Sequence, residues 1–190
     1  MILGVDVSTS ITGFAIVSDD ELVYYDHIDL RKVKGVFAKT LAIKEKIMDI
    51  FEMYQCNNDP GVMTGNSVYP IEHIYVEQPF TFFNSGGSSA KTMAVLQRFN
   101  GIVSWLLFEL FELEPEYIGA TSARKEAGIK IQRGKKAKKV VMEYLLENEA
   151  AFKVEYTRHG NPKAQYFDMA DAIVIARAGY RIEQKKQETT

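Results

Sequence analysis

Residues 2–17 read ILGVDVSTSITGFAIV. Two apolar runs rich in β-branched residues, Ile2 to Val7 and Gly13 to Val17, flank the small polar group Ser8-Thr9-Ser10, a pattern typical of two strands joined by a turn. A third strand is predicted over Leu22 to Leu30, directly after a turn-like segment. The start of the chain therefore predicts three consecutive antiparallel strands.

The rest of the chain alternates helical and strand patterns. Helices are predicted over Val36 to Tyr54, about Ala90 to Phe111, Lys135 to Leu146 and about Tyr166 to Ile182, with a short one capped by Thr121 or Ser122, and strands over Ile71 to Glu77 and Glu116 to Ala120. Loops are predicted over 57–69, 84–89 and 128–134. These elements predict an α/β fold, a mixed five-stranded sheet flanked by helices, in a single domain over 1–183 with a flexible tail over 184–190.

The composition excludes several classes of protein. The chain has 190 residues, of which 46% are apolar, which is enough for one sizeable core. Its single cysteine excludes an internal disulfide framework and a cysteine-rich zinc site. Nothing at the amino terminus resembles a signal peptide, and the most apolar stretch, Ile102 to Leu113, is too short to span a bilayer. An intracellular, cytoplasmic protein is predicted.

Charge is distributed unevenly along the chain. Between Arg124 and Lys139 lie eight basic residues and one acidic residue, Glu126, a local charge of +7 in a chain whose net charge is -2. A basic segment on an otherwise acidic body is typical of a face that contacts nucleic-acid phosphates. A solvated, lysine-rich helix face is the alternative interpretation. The predicted DNA-contacting residues are Arg124, Lys125, Lys130, Arg133, Lys135, Lys136, Lys138 and Lys139.

Four carboxylates lie among apolar neighbours. Asp6 interrupts one predicted strand, and Glu77 ends another. Asp168 and Asp171 are three positions apart and therefore share one face of a largely apolar helix. Because burying an unpaired charge is costly, the pattern favours a cation that these acids share.

Oxygen ligands alone favour hard cations, and Mg²⁺ or Mn²⁺ on a few carboxylates is typical where phosphate is the substrate. Two ions about 3.5 to 4 Å apart can activate a water and stabilise the leaving oxygen. The four acids therefore predict metal-dependent phosphodiester hydrolysis, with two ions per site. Each acid alone has a simpler interpretation: Asp6 could cap a turn, Glu77 could pair with a lysine, and Asp168 could complement the helix dipole.

Three motifs resemble those of the RuvC family of Holliday-junction resolvases. They are Ile2-Leu3-Gly4-Val5-Asp6 followed by Thr12-Gly13-Phe14-Ala15-Ile16, then Tyr75-Val76-Glu77-Gln78-Pro79-Phe80, and finally Asp168-Met169-Ala170-Asp171-Ala172. They are similar to the first hairpin, the second acidic motif and the closing D-x-x-D-A helix of the family, in the same order. Weaker likeness over Tyr117 to Lys125 and Gly134 to Val140 extends the resemblance to most of the chain.

Two departures from the family pattern indicate a divergent member, such as a phage or viral one. Ser8 stands where many members have glycine, and the segments 57–69 and 149–165 are longer than in the bacterial housekeeping enzymes. Sequence preference at the cut site and restriction to four-way junctions are therefore open.

The resemblance implies a ribonuclease H-like fold, a homodimer and paired, Mg²⁺-dependent cuts in a four-way DNA junction. The catalytic and metal-binding residues would then be Asp6, Glu77, Asp168 and Asp171. Arg124 and Lys138 correspond to basic positions that face the scissile phosphate, and Phe80 to an aromatic residue that stacks on unpaired bases. Neither a small-molecule substrate nor a membrane is expected.

A homodimer is also predicted from the residues themselves. The helix over 90–111 carries apolar side chains around nearly its whole circumference, more than one sheet can bury. These are Ile102, Val103, Trp105, Leu106, Leu107, Phe108, Leu110 and Phe111. A second copy could cover the remainder and would place one active site on each of two symmetric strands. The alternative is a helix buried wholly within its own domain.

Three other functions are left open by the sequence. A nuclease of the same fold could act on flaps, other branched DNA or RNA hybrids. Residues 4–9, GVDVST, also resemble the first phosphate loop of actin-like ATPases, although those folds need two such domains and no second nucleotide loop is visible. A junction-binding protein without catalysis is disfavoured, because all four acids are present.

Overall fold

The computed structural model describes residues 1–54, 70–79 and 90–189. Its strands are β1 (Ile2–Asp6), β2 (Ile11–Ser18), β3 (Glu21–Asp29), β4 (His73–Glu77) and β5 (Glu116–Ile118). Its helices are α1 (Val36–Tyr54), α2 (Ala90–Phe111), α3 (Ala120–Glu126), α4 (Ala137–Asn148) and α5 (Gln165–Glu188). The loop predicted over 57–69 and the stretch 84–89 lie outside the described residues. Within the described ranges, no helix is long and apolar enough to cross a membrane.

The five strands form one mixed sheet in the order β3-β2-β1-β4-β5. β2 pairs antiparallel with both β1 and β3, whereas β4 lies parallel to β1 and β5 lies parallel to β4. The opening hairpin of the chain therefore supplies the centre of the sheet. This confirms the predicted fold class and the three consecutive antiparallel strands.

Helices cover both faces of the sheet. Leu3 and Val5 of β1 pack with α1 and α2 on one face, while Ile2 packs with α3, α4 and α5 on the other. This division follows from the strand geometry, because successive side chains point to opposite faces. A central strand with helices on both faces is apolar at almost every position, which makes a charge at its end conspicuous.

Several element boundaries differ from the prediction. β4 begins at His73 and β5 ends at Ile118, so both strands are two residues shorter than predicted. The N-cap of α3 is Gly119, without a side-chain hydrogen bond, so the predicted cap by Thr121 or Ser122 was wrong. α4 begins two residues late, because Lys136 has an extended backbone and serves as its N-cap.

α5 extends into the segment for which the sequence predicted a flexible tail. Two ion pairs tie its last turns to the body of the protein. Lys185 Nζ lies 2.5 Å from the Glu126 carboxylate, and Lys186 Nζ lies 3.1 Å from Glu116 Oε1. Lysines at a helix C-terminus also complement the helix dipole. The helix consequently continues to Glu188.

Candidate active site

Three separate elements bring the four predicted carboxylates to one edge of the sheet. Asp6 is the last residue of β1, and Glu77 is the last residue of β4. These strands are parallel neighbours, so the two side chains leave the sheet next to each other. Asp168 and Asp171 lie near the start of α5, which packs against β1 and β2.

Two glycines allow α5 to lie close enough for this arrangement. Gly13 pairs with Asp6 across the hairpin, and a Cβ atom added to it would lie 2.2 Å from the backbone carbonyl oxygen of Asp168. A Cβ atom on Gly4 would lie 2.4 Å from the backbone nitrogen of Ala176. A side chain at either position would push the helix away. The glycines therefore hold Asp168 against the strand that carries Asp6.

All four carboxylates line one cavity of about 210 Å³. The other lining residues are Val7, Ser8, Pro79, Leu96, Asn100 and Lys138. Asn100 is buried on α2 and donates a hydrogen bond from Nδ2 to the backbone carbonyl oxygen of Glu77 at 3.1 Å. This bond fixes the end of β4 and thereby the position of the Glu77 side chain.

Lys138 is the cation of this cavity. Its Nζ atom lies 3.5 Å from Asp168 Oδ1 and 3.4 Å from Asp171 Oδ2. Burial lowers the pKa of Lys138, but the charges of Asp171, Asp168 and Asp6 outweigh burial and raise it. The ammonium group therefore stays protonated, and among the described residues it is the one positive charge that lines the cavity with four carboxylates.

The pKa values of the acids show this imbalance. Burial is the main reason that the pKa of Asp6 lies well above its usual value, and the neighbouring Glu77 and Asp171 charges add to it. Burial, followed by the charge of Asp171, raises the pKa of Glu77 to about 7. Burial also raises the pKa values of Asp168 and Asp171, against the opposing effect of Lys138. Perturbed carboxylates in one cleft are typical of functional sites.

The donor set of the cavity fits a divalent cation. Carboxylate oxygens without a soft ligand suit Mg²⁺ or Mn²⁺. Added positive charge would also relieve the repulsion that raises the pKa values. Within the described residues, no three of the four carboxylates have oxygens that all lie within 4.8 Å of one another. The acids are thus spread more widely than the ligands of one tightly enclosed ion.

A second group of side chains does have metal-ligand spacing, at the opposite end of the sheet. The ligand atoms of His73, Glu116 and Glu183 all lie within 4.8 Å of one another. Lys186 Nζ lies 2.8 Å from Glu183 Oε1 and 3.1 Å from Glu116 Oε1, so an ammonium group already bridges these carboxylates. This group was not predicted from the sequence, where its one signal is a histidine at the first position of an apolar strand.

The predicted DNA-contacting residues lie in several places. Arg124, Lys125 and Lys130 line a separate cavity of about 450 Å³ beside α3. Arg124 also lies near the acids, since its charge lowers the pKa of Glu77. Its Nε atom is buried and has no hydrogen-bond partner in the described part of the chain. Arg124 therefore lines the cavity beside α3 and is also near enough to the acids for its charge to act on Glu77.

The remaining basic residues lie along the loop before α4 and its first turn. Lys138 is the member of the set that lines the acidic cavity, and it also lines a larger groove together with Lys136 and Lys139. Arg133 and Lys135 are exposed on the loop. Phe80, predicted to stack on bases, lies outside the described residues.

Two cavity residues were missed by the sequence analysis. Asn100 interrupts the apolar pattern of α2, and a buried amide on a packed helix is a usable signal. Ser8 was noted only because it departs from a family pattern. The structure places it at the cavity wall, where its backbone nitrogen is 3.1 Å from Thr12 Oγ1.

Comparison with known proteins identifies the class of fold. The sheet order and flanking helices are those of the ribonuclease H-like fold, as found in RuvC. A structure of T. thermophilus RuvC in complex with a Holliday junction substrate matches with a TM-score of 0.62 and 14% identity, over 97% of this chain and 94% of that chain. Another T. thermophilus RuvC structure gives 0.61 and 14%, over 97% and 96%. No family model and no curated protein sequence matches.

Proposed function

We propose that this chain is a metal-dependent endonuclease that cuts four-way DNA junctions. The observation that carries the proposal is the cavity shared by Asp6, Glu77, Asp168 and Asp171, where burial and the repulsion between the acids raise the pKa values of Asp6 and Glu77. The fold adds support, because a RuvC of the same fold has been solved with a Holliday junction substrate. A cavity rich in carboxylates and bordered by a basic segment suits a phosphodiester substrate with bound cations.

In this function the four carboxylates hold Mg²⁺, or Mn²⁺ in its place. Two ions suit the wide spread of the acids. When bound, the ions supply an activated water and stabilise the leaving oxygen. Lys138 can exchange its contacts with Asp168 and Asp171 for a phosphate oxygen, since metal ions would then balance the acids. Arg124 lies near the acids, and its guanidinium group suits a contact with the same phosphate or the next one.

The basic segment over 124–139 supplies the DNA-binding surface in this proposal. Its residues begin at the acidic cavity with Lys138 and continue along the exposed loop that precedes α4. Lysines and arginines on such a surface contact phosphates without regard to sequence, so they position the strand rather than select bases.

A homodimer forms part of the proposal. Phe37 and Leu41 on α1 are 83% and 64% exposed, and Trp105 on α2 is 61% exposed. An ion pair of 3.7 Å between Lys44 and Glu109 joins the two helices, so their exposed stripes lie side by side. A cluster of exposed large apolar side chains on adjacent helices marks an interaction surface. A second copy would cover it by two-fold symmetry.

Sedimentation equilibrium tests the dimer. The wild type should have twice the mass of one chain, and Leu41→Glu should shift it to the monomer. Val23→Glu is the matched control, because Val23 is an exposed aliphatic residue on β3, in a different part of the fold. A monomeric wild type would remove this part of the proposal.

The main test compares DNA substrates directly. A four-way junction, a flap, an RNA–DNA hybrid and plain duplex are incubated with the protein, with and without Mg²⁺. The proposal expects cutting of the junction only when Mg²⁺ is present, and little cutting of duplex. Preference for the flap or the hybrid would indicate another nuclease of the same fold. Binding of the junction without cutting would indicate a junction-binding protein.

A further inference from the structure

A mainly apolar groove lies directly beside the acidic cavity. It has a volume of about 620 Å³ and lies between α4, the segment 156–162 and the start of α5. Its apolar lining consists of Met142, Leu146, Tyr156, Pro162 and Phe167. Lys138 lines both the groove and the acidic cavity. A strand whose phosphate lies at Lys138 would therefore have its neighbouring nucleotides at the groove.

Tyr156 is presented by an ordered piece of backbone. It forms a β-bridge with Pro162, and the backbone N–H of Thr157 donates to the carbonyl oxygen of Asn161 at 2.7 Å. The backbone N–H of Lys163 donates to the carbonyl oxygen of Glu155 at 2.9 Å, which closes the same small hairpin. The residue is 52% exposed. An aromatic side chain held in this way loses little conformational entropy when a flat ligand stacks on it.

The charged residues around the groove indicate which kind of flat ligand it would bind. Three lysines line it, Lys136, Lys138 and Lys139, against one carboxylate, Glu143, which pairs with Lys139 at 3.7 Å. Apolar walls bordered by ammonium groups match a nucleobase with its attached phosphates. An apolar peptide would offer no negative charge to these lysines. The amide of Asn161, also in the lining, supplies a donor and an acceptor that suit the polar edge of a base.

We propose that this groove holds one unstacked nucleobase of the DNA strand that crosses the acidic cavity, with Tyr156 as its stacking platform. The assignment rests on the proposed nuclease function for the identity of the strand. It adds a contact from the segment 149–165, which the sequence predicts to be longer than in the family pattern. A base held there would position the strand close to the bond that is cut.

A double-mutant cycle that combines a substitution in the protein with removal of one DNA base tests the proposal. Dissociation constants of a four-way junction are measured without divalent cations, for the wild type and for Tyr156→Ala. The junction is intact or carries one abasic nucleotide, placed in turn at each position next to the branch point. At one position, base removal should weaken the wild type about 5- to 150-fold and leave Tyr156→Ala unaffected, because the stacking is already absent. Tyr156→Phe should behave like the wild type.

Tyr117→Ala is the matched control, since Tyr117 is a tyrosine of similar exposure, 50%, on the edge strand β5. It should respond to every abasic position as the wild type does. If no position distinguishes Tyr156→Ala from Tyr117→Ala, the groove assignment is overturned even when the wild type cuts junctions. If base removal at one position weakens the wild type but not Tyr156→Ala, and Mg²⁺ produces no cutting, the proposed nuclease function is wrong and the groove assignment is still supported. Absence of DNA binding by the wild type would overturn both.

Discussion

The two ends of β4 carry two charged clusters of opposite character. At its C-terminal end, Glu77 shares a cavity with three other carboxylates and has a pKa raised to about 7, mainly by burial. At its N-terminal end, His73 lies 3.6 Å from Glu183. Burial alone would raise the pKa of Glu183, but hydrogen bonds from Lys186 and Tyr75 outweigh burial and lower it. β4 thus separates two clusters that differ in the balance of their charges. The unbalanced cluster consists of Asp6, Glu77, Asp168 and Asp171. The balanced cluster consists of His73, Glu116 and Glu183 together with Lys186.

The difference distinguishes a cluster whose charges pair within the chain from one with an excess of carboxylates among the described residues. Tyr75 donates its hydroxyl hydrogen to Glu183 at 2.5 Å, and Lys186 bridges Glu183 and Glu116. Every charge there has a partner of the opposite sign or a hydrogen bond, which is how a protein makes burial of a carboxylate tolerable. Among the described residues that line the Glu77 cavity there is one ammonium group for four acids, with Arg124 nearby. We infer that the balanced cluster stabilises the fold and that the unbalanced one is completed by bound cations.

The largest expected effect is on DNA cutting, which should require the unbalanced cluster but not the balanced one. Asp6→Asn should reduce junction cutting by at least about 100-fold, because even residues that only orient metal ligands contribute about 10- to 100-fold. Binding to the junction should survive, since the basic segment is unchanged. Cleavage and gel-shift assays on the same preparation measure the two quantities.

Glu116→Gln is the control from the balanced cluster. It changes one carboxylate to its amide, as Asp6→Asn does, but at the far end of the sheet, and it should retain cutting. Equal loss in both variants would mean that the distinction drawn between the clusters is false. Unchanged cutting by Asp6→Asn would remove that residue from the active site.

The next effect is a pH dependence of stability that arises from Glu77. Its pKa is about 7 in the folded protein against an ordinary value of 4.5, so between these pH values the folded state holds a proton that the unfolded chain has released. The free energy of unfolding of the metal-free protein should therefore fall as pH rises from about 4.5 to about 7, by up to about 3 kcal/mol. Urea unfolding of wild type and Glu77→Gln in EDTA measures the difference.

The Glu77→Gln protein should lose this part of the pH dependence and become relatively more stable above about pH 7. Mg²⁺ should restore stability to the wild type at that pH by balancing the carboxylates. Parallel stability curves for the two proteins would show that Glu77 ionises normally and that the cavity does not hold excess charge.

Neutralising one acid in each cluster should change stability in opposite directions. Asp171→Asn in the metal-free protein at pH 8 removes repulsion and should raise the free energy of unfolding by about 1 kcal/mol. Glu183→Gln removes the charge that accepts the Tyr75 hydrogen bond and one of the carboxylates that pair with Lys186, and should lower it by about 1 to 3 kcal/mol. Urea unfolding measures both. Changes of the same sign would contradict the comparison.

The sequence predicted those parts of the fold that depend on long local patterns. α1 and α2 have the predicted bounds, because an apolar periodicity sustained over 19 and 22 residues leaves little choice. The two strand carboxylates could be found for an energetic reason: Asp6 and Glu77 adjoin residues that are almost wholly buried. Pairing them with Asp168 and Asp171 needed only the assumption of a shared cation.

Features that depend on contact between distant segments could not be predicted. His73, Glu116 and Glu183 are ordinary residues in the sequence, and only the packing of α5 against the sheet brings them together. The Tyr156 groove likewise requires α4 and the start of α5 to face a hairpin with no strong strand pattern. The cap of α3 differs for a simpler reason: Thr121 and Ser122 are good caps in general, but Ala120 already has helical geometry. The stacking role of Phe80 stays a prediction.

The smallest expected effect is on the salt dependence of DNA binding, after substitution of exposed lysines in two different parts of the fold. Lys135→Gln combined with Lys136→Gln should lower the slope of log Kd against log salt for junction binding by up to about 2, because each lost phosphate contact removes about one released counterion. Lys185→Gln should leave the slope unchanged, since Lys185 pairs with Glu126, beside the balanced cluster. Titrations at several salt concentrations give the slopes. A reduced slope for Lys185→Gln alone would place the DNA near Glu183, and the unbalanced cavity would then need another explanation for its excess of negative charge.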